Sequence, residues 1–272
     1  MKKLTVSFCL MTALVFGSVG AGWSADLDRG LAAYKRGDFA TALREWAPLA
    51  QNGDARLQAL LGSMYSTGKG VPRNYETAIK WYTLAANKGI AMAQNNLGLM
   101  FDSGQGVTKN HKTAVEWYQL AAEQGYASAQ YNLGLKYAKG EGIRGNYEAA
   151  LKWLRLAAEQ RYASAQAALG FIYRNGKGVP QNYKSSMMWY RAAAEQGHAA
   201  AQYNLGLMYA NGEGVPKSNV YAHMWGNISN SNGYEGGKKL MDYLLEQGMT
   251  PSQIEKAQDL ARECLKKNYK GC

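Results

Sequence analysis

Two local motifs in this 272-residue chain match patterns that carry chemistry in other proteins. Residues Ser66 to Lys69 match the Ser-x-x-Lys pattern of acyl-enzyme nucleophiles, but no Lys-Thr-Gly partner motif occurs in the sequence. Gly104-x-Gly106 resembles the start of a phosphate-binding loop, yet a dinucleotide fingerprint also needs a preceding strand and a third glycine that opens a helix. The two motifs therefore predict neither an acyl-enzyme nor a nucleotide site.

The three histidines also give little support to catalysis. His111, His198 and His223 fall at different positions of the pattern described below, and no two of them have the spacing of metal ligands. A Ser/His/Asp site can still assemble in space, because a triad is recognised by its geometry. We nevertheless predict no catalytic residue, no cofactor-binding residue and no metal ligand, and hence a binding protein rather than an enzyme.

The elements that position these residues follow from a repeat of 36 residues. A glycine column and a tryptophan column share this period: Gly62, Gly98, Gly134, Gly170 and Gly206, and Trp81, Trp117, Trp153, Trp189 and Trp225. A fixed period of this length is typical of a solenoid, in which each unit buries its apolar face against its neighbours. Such arrays usually bind other molecules.

Each unit is predicted to contain two helices. Ala93, Leu97 and Phe101 recur every four residues and form one stripe of a first helix. Gly98 lies beside this stripe, and we expect its missing side chain to let the backbone of the partner helix approach. Paired glycines then end the helix, because they tolerate positive φ.

A second helix completes each unit. Its predicted N-caps are Asn74, Asn110, Asn146, Asn182 and Ser218. Ala114, Trp117 and Tyr118 begin its apolar face. Gly125 closes the helix, whereas Arg161 stands at the matching position of the next unit and is expected to make that turn less regular.

These motifs resemble those of a known repeat family. The run from Ala93 to Phe101, Ala-Gln-Asn-Asn-Leu-Gly-Leu-Met-Phe, is followed by Gly-x-Gly-Val and by Ala-x-x-Trp-Tyr-x-x-Ala-Ala-x-Gln-Gly, which ends at Gly125. The pattern resembles the Sel-one-like repeat (SLR) and recurs in five units over residues 53–233. The resemblance implies an all-α solenoid, a right-handed superhelix of about six antiparallel helix pairs with a C-terminal helical cap. It also implies an adaptor that assembles protein complexes, since this is the general role of the family.

By analogy with related repeat folds, the first helices line a ligand groove. Asparagine offers a donor and an acceptor to an extended peptide backbone, and tyrosine adds contact area with a polar tip. Charged residues near the helix ends are expected to select charge. The alternative is that the asparagines satisfy backbone groups of the next unit. The predicted outward-facing groove residues are Asn95, Asn96, Asp102, Tyr131, Asn132, Lys139, Arg174, Tyr203 and Asn204.

The first residues are predicted to be a signal peptide. Lys2 and Lys3 precede an uncharged, mostly apolar stretch from Leu4 to Val19, and small residues continue to Ala21. We place the signal peptide at residues 1–21, with the cut as late as residue 25 in the alternative. No later stretch is long and apolar enough for a membrane span. The mature protein is predicted to be periplasmic or secreted, without an integral membrane segment.

The chain is basic, with a formal net charge of +11 at pH 7. The basic residues are spread along the chain rather than clustered, which argues against a nucleic-acid partner. Attraction to acidic proteins or to anionic envelope polymers remains open. We predict an exported adaptor that binds protein partners at the bacterial cell envelope; the alternatives are a binder of peptidoglycan or another envelope polymer, and a secreted effector that acts on a host.

Both ends depart from the repeat. Residues 26–52 are predicted to form a short N-terminal unit that acts as a cap, and residues 234–272 to form C-terminal capping helices. Thr250-Pro251-Ser252-Gln253 has the pattern of a capping box with proline at the first helical position. Cys264 and Cys272 remain after export as an even pair, so we expect a disulfide between them.

Overall fold

The computed structural model describes residues 21–272, so the predicted signal peptide lies outside the described residues except for Ala21. Every regular element in this range is an α-helix, which confirms the predicted all-α class. In chain order the helices are α1 (Ala21–Lys35), α2 (Phe39–Gln51), α3 (Ala55–Thr67), α4 (Tyr75–Asn87), α5 (Ala91–Ser103), α6 (His111–Glu123), α7 (Ala127–Lys139), α8 (Tyr147–Glu159), α9 (Ala163–Asn175), α10 (Tyr183–Ala194), α11 (Ala199–Asn211), α12 (Asn219–Ser231), α13 (Glu235–Glu246) and α14 (Pro251–Lys266). We call α3, α5, α7, α9 and α11 the first helices and α4, α6, α8, α10 and α12 the second helices.

The chain divides into two compact units, one that ends at Ala93 and one from Gln94 to Cys272. In the first unit α1 to α4 pack consecutively around a core in which Trp46 and Leu61 are each 1% exposed. Tyr34 lies against Trp46 with ring centroids 5.5 Å apart, and Asp38 caps α2. The short N-terminal pair of helices therefore contributes its own aromatic side chains to the core of this unit.

In the second unit, consecutive helices from α6 to α12 pack in pairs, and α13 and α14 both pack on α12. The fully buried side chains include Leu133, Leu154, Leu169, Tyr190 and Trp225. Successive repeats thus bury their apolar faces against each other, as the 36-residue period predicted.

The glycine column makes room for a ring rather than for a backbone in most repeats. A Cβ added to Gly98 would lie 2.5 Å from Cε1 of Tyr118, and the same clash with a tyrosine ring occurs at Gly62 and Gly170. The prediction of a backbone approach is wrong for these three repeats, because the aromatic ring of the second helix fills the space above the glycine. At Gly134 and Gly206 an added Cβ would first meet a leucine side chain, at 2.8 and 2.6 Å, and then a backbone oxygen, at 3.2 and 3.1 Å.

The predicted N-caps of the second helices are confirmed. Each cap side chain accepts a hydrogen bond from the backbone N–H three residues later, over 2.8 to 3.3 Å. The glycine pairs that precede these caps have positive φ, for example 76° at Gly104 and 73° at Gly106. The loop chemistry read from the sequence therefore fixes where each second helix begins.

The expectation of an irregular turn at Arg161 is wrong. Arg161 adopts φ = 62°, in the region that glycine occupies in the other turns of this column. Its N–H donates to the carbonyl oxygen of Ala158 over 2.9 Å, and the N–H of Tyr162 donates to Ala157 over 3.1 Å, the same distances as in the turn that contains Gly125. The turn keeps its geometry because neighbouring bonds hold the arginine in a strained backbone conformation.

The C-terminal helices have the predicted capping chemistry. The capping box of α14 is present, with Thr250 and Gln253 each accepting a hydrogen bond from the other's backbone N–H and Pro251 at the first helical position. Cys264 and Cys272 are joined in a disulfide. The turn between the cysteines presents Tyr269, whose hydroxyl donates to Oδ1 of Asn232 over 3.0 Å.

Candidate partner-binding surface

The predicted asparagine ladder is partly buried. Asn95 is only 3% exposed, so the expectation that it faces outward is wrong. Its Oδ1 accepts a hydrogen bond from Nδ2 of Asn132 over 3.0 Å, and its Nδ2 is 3.4 Å from Oδ1 of Asn96. These amides join α5 to α7 through side-chain atoms, not through the backbone groups of the next unit that the alternative named. Asn96 and Asn132 keep part of their surface exposed.

The side chain of Arg174 is bound by other residues of the protein. Its Nε and Nη2 donate to the two carboxylate oxygens of Glu213 over 2.6 and 3.1 Å, and its Nη1 lies 3.4 Å from Oδ1 of Asn204. The hydrogen bond to Glu213 raises the pKa of Arg174. Burial raises the pKa of Glu213, but hydrogen bonds from Arg174 and Asn211 outweigh it and hold that pKa below its ordinary value. Arg174 therefore links α9 to the loop after α11 instead of presenting a free charge.

Two of the predicted tyrosines pair with tyrosines of the following repeat. The ring of Tyr131 lies 5.4 Å from that of Tyr162, and Tyr203 lies 5.3 Å from Tyr234. Both pairs join a first helix to the residue that caps the next helix on that side. Burial raises the pKa of Tyr131. The rings remain half-exposed and so combine packing with available surface.

The structure reveals a charge cluster that the sequence reasoning missed. Lys136 is 5% exposed although the matching position in other repeats is apolar, for example Met100. Its ammonium contacts the carboxylate of Asp102, Oε2 of Glu141 at 2.7 Å and Nδ1 of His111 at 3.3 Å. The feature of the sequence that could have indicated the cluster is this single lysine at a repeat position that is otherwise apolar.

The cluster holds its two carboxylates in the charged form. Burial raises the pKa of Asp102, but hydrogen bonds from Lys136 and His111 bring it below its ordinary value. The hydrogen bond from Lys136 lowers the pKa of Glu141. The side chain of Lys139, by contrast, is 58% exposed, and its Nζ makes a longer contact of 4.0 Å with Oε1 of Glu141. Of the predicted charged groove residues, Lys139 alone presents most of its side chain to solvent.

Asp102, His111 and Glu141 also offer potential metal-ligand atoms within 4.8 Å of one another. The ammonium of Lys136 already lies among these three groups and supplies the positive charge that they surround. A divalent ion would have to displace this buried amine, so the arrangement is that of an ion cluster. Its evident role is to join α5 and α6 to α7.

The other two histidines are structural as well. Nδ1 of His198 accepts a hydrogen bond from the N–H of Ala201 over 3.2 Å, which caps α11. His223 is 4% exposed in α12. Burial lowers the pKa of both histidines and therefore favours their neutral forms.

A ladder of buried glutamines was also missed. Nε2 of Gln130 donates to the carbonyl oxygen of Ala122 over 3.2 Å, while its Oε1 accepts from Nε2 of Gln160 over 2.8 Å. Gln166 and Gln202 repeat this pattern one and two periods later. These bonds tie the end of each second helix to the first helix beside it, and they account for the glutamine that follows the alanine in the motif.

The exposed side of the first helices carries an apolar row. The row consists of Leu99, Leu135, Phe171 and Leu207, which occupy the same position in α5, α7, α9 and α11. Leu99 is 43% exposed and Phe171 46%, whereas Leu135 and Leu207 are half-buried. Sequence reasoning did not single these residues out, because they stand directly after the Leu-Gly pair that enters the core.

The comparisons with known proteins agree with this architecture. The family model for the Sel1 repeat matches residues 55–90, 91–126, 127–162, 163–198 and 199–234. The chain belongs to the Sel1 repeat family. Each Sel1 repeat begins at the first residue of a first helix and ends in the turn after its second helix.

Solved structures of Sel1 repeat proteins are similar over most of the chain. A Sel1 repeat protein from Oxalobacter formigenes is 34% identical with a TM-score of 0.77, over 87% of this chain and 96% of that one. A protective antigen of uropathogenic Escherichia coli with an SLR fold is 33% identical with a TM-score of 0.76, over 91% of this chain. The present chain spans 54% of that antigen.

A more distant Sel1 repeat protein from Klebsiella pneumoniae, 23% identical with a TM-score of 0.51 over 74% of this chain and 98% of its own, shares the fold. A comparison with curated proteins found no match. Sel1 repeat proteins generally act as scaffolds for protein–protein interactions and are typically non-catalytic. Within the described residues, no helix has the length and apolar character needed to cross a bilayer.

Proposed function

We propose that this Sel1 repeat protein is an exported, non-catalytic adaptor at the bacterial cell envelope. In this proposal it holds an extended segment of a protein partner against the exposed side of α5, α7, α9 and α11. The observation that carries the proposal is the apolar row, Leu99, Leu135, Phe171 and Leu207.

The apolar row supports a partner because its members are aligned. A single exposed leucine on a protein surface is ordinary. The two exposed members, Leu99 and Phe171, instead recur at one repeat position, which also holds the half-buried Leu135 and Leu207. Side-chain bonds hold α5 beside α7 and α9 beside α11. Exposed apolar groups that gather on one face favour protein–protein contact there.

Polar groups at the edges of the row suit an extended backbone. Asn96, Asn132 and Asn204 are half-buried beside it, with their amides held by neighbouring groups. An amide fixed in this way binds at a lower entropic cost than a mobile one. The rings of Tyr131 and Tyr203 add rigid contact area.

Export is proposed from the first residues and from the cysteines. The charged start and apolar stretch from Leu4 to Val19 have the pattern of a signal peptide. The disulfide between Cys264 and Cys272 supports an oxidising compartment, because disulfides are rare in the bacterial cytosol. The periplasm or the exterior of the cell satisfies both observations.

Affinity capture from envelope extract tests the proposal, with bound proteins identified by mass spectrometry. The test variant carries Leu99→Ser and Phe171→Ser, which remove exposed apolar groups with little effect on stability. The matched control carries Leu120→Ser and Leu156→Ser, since these leucines are similarly exposed but lie on second helices.

We expect a specific protein to be held by the native chain and by the control but lost by the test variant. Equal capture by all three would show that the apolar row is not the site. The net charge of +11 favours one competing function, the binding of peptidoglycan. Sedimentation of the protein with purified peptidoglycan tests that alternative, and a lack of any envelope partner would favour an effector that acts on a host.

A further inference from the structure

Six exposed cations lie at one edge of the first-helix surface. They lie in the loops after the first helices and in the first turns of the second helices: Lys109, Lys112, Arg144, Lys177, Lys184 and Lys217. We call these six residues the basic edge. All six are exposed, and within the described part of the chain none of them has a carboxylate within 4.0 Å.

Most acidic groups on this side are neutralised internally. Asp102 and Glu141 contact Lys136, and Glu213 is bound by Arg174. Glu148, in the first turn of α8, is an exposed exception. The field that the basic edge presents to a ligand is therefore positive, because its cations lack such internal compensation.

Two of these cations oppose the stability of their own helices. Lys112 and Lys184 stand in the first turns of α6 and α10, where neither helix has an acidic residue. A helix N-terminus carries partial positive charge and favours anions, so lysine at this position is destabilising. Charge placed against the helix dipole indicates a requirement other than folding.

A direct contact connects the basic edge to the apolar row. Nζ of Lys177 lies 5.1 Å from the centroid of the Phe171 ring, and Phe171 is 46% exposed. A ligand group that covers this ring thus comes within reach of the ammonium. Apolar and anionic recognition are adjacent at α9.

We infer that the partner segment is acidic as well as apolar: it places hydrophobic side chains on the apolar row and carboxylates against the basic edge. This inference rests on the proposed function and specifies the chemistry of the partner. Charge complementarity carries it, because the cations that line the surface are uncompensated within the described chain.

A peptide microarray tests the inference with the purified protein as the probe. The array carries 15-residue peptides of random sequence. We expect the bound peptides to be enriched in Asp and Glu together with Leu, Ile or Phe, and their binding to weaken as salt rises. Bound peptides without acidic enrichment would overturn the inference and leave the adaptor proposal in place. No peptide binding would count against both.

Charge-reversal variants locate the effect. The double substitution Lys177→Glu and Lys184→Glu should lower the affinity for the best acidic peptide by about tenfold at low salt. The matched control, Lys80→Glu with Lys152→Glu, makes the same charge change at exposed lysines in the middle of second helices and should leave the affinity nearly unchanged. Equal losses in both variants would show that only net charge matters, which would also overturn the inference.

Discussion

Gln160 donates a hydrogen bond from Nε2 to Oε1 of Gln130 over 2.8 Å, and this bond closes the ladder between α8 and α7. Lys88 occupies the position equivalent to Gln160 in an earlier repeat. There the ammonium donates instead to the carbonyl oxygen of Gly53 over 2.6 Å. Oε1 of Gln58 is consequently buried without a hydrogen-bond partner in the part of the chain that the structure describes.

The substitution Lys88→Gln should therefore stabilise the protein. A glutamine at this position can donate to Oε1 of Gln58, and satisfying a buried acceptor is worth about 1 kcal/mol. The urea midpoint, followed by circular dichroism, measures the gain. Lys80→Gln is the control, because it makes the same change at an exposed lysine of α4, and an equal gain there would contradict the explanation.

Arg161→Gly should also stabilise the fold. Relief of the left-handed conformation at φ = 62° outweighs the added entropy of the unfolded chain, for a net gain of about 0.5–1 kcal/mol. Gly125→Ala is the reciprocal variant: its φ is 84° and its surroundings are open, so only strain is added. Urea unfolding should show opposite signs for the two variants, and the same sign would refute this account of the turn.

The packing of Gly98 against Tyr118 predicts a coupled pair. Gly98→Ala should lower the free energy of unfolding by about 1–3 kcal/mol, because the new methyl group overlaps the ring of Tyr118. Combining it with Tyr118→Ala, which removes the ring that the methyl group would meet, should cost less than the sum of the single changes. A double-mutant cycle measures the coupling. Simple additivity would contradict the proposed ring contact.

The charge cluster predicts an acid-dependent loss of stability. The pKa values of Asp102 and Glu141 are lowered in the folded state, so their contribution is present above the ordinary values of 3.8 and 4.5 and is lost as the pH falls below them. Lys136→Met, which restores the apolar residue of the column, leaves both carboxylates without the lysine.

At pH 7 the free energy of unfolding of the native protein should exceed that of the Lys136→Met variant by about 1–3 kcal/mol, and this difference should shrink at pH 3. Urea midpoints at the two pH values measure it, with Lys139→Met as the control at a mostly exposed lysine nearby. A difference that does not depend on pH would show that the cluster acts through packing alone.

The sequence predicted the local chemistry of the repeat well. Asn110 caps its helix through a hydrogen bond three residues along the chain, and Gly104 needs positive φ in its own loop. Thr250 and Gln253 likewise form their capping box within one turn. Each of these features is decided by neighbours in sequence, so the residue types specify it directly.

Features that depend on neighbouring repeats were less accessible. Asn95 was predicted to face outward and is buried, because its partner Asn132 lies on another helix. The apolar column around Lys136 hinted at an unusual contact, but its partners Asp102 and His111 are identified only once α5, α6 and α7 are packed. The angle between successive helices decides which positions are exposed, and the repeat pattern alone does not specify that angle.

Site-specific photo-crosslinking in living cells tests the central claim most directly. Benzoylphenylalanine replaces Phe171 in the apolar row or, as the control, Leu120 on the exposed side of α6; both positions are 46% exposed. The account predicts a discrete crosslinked protein from position 171 that is absent from position 120. Crosslinks of equal pattern and yield from both positions, or none from position 171 while position 120 gives a discrete product, would contradict it.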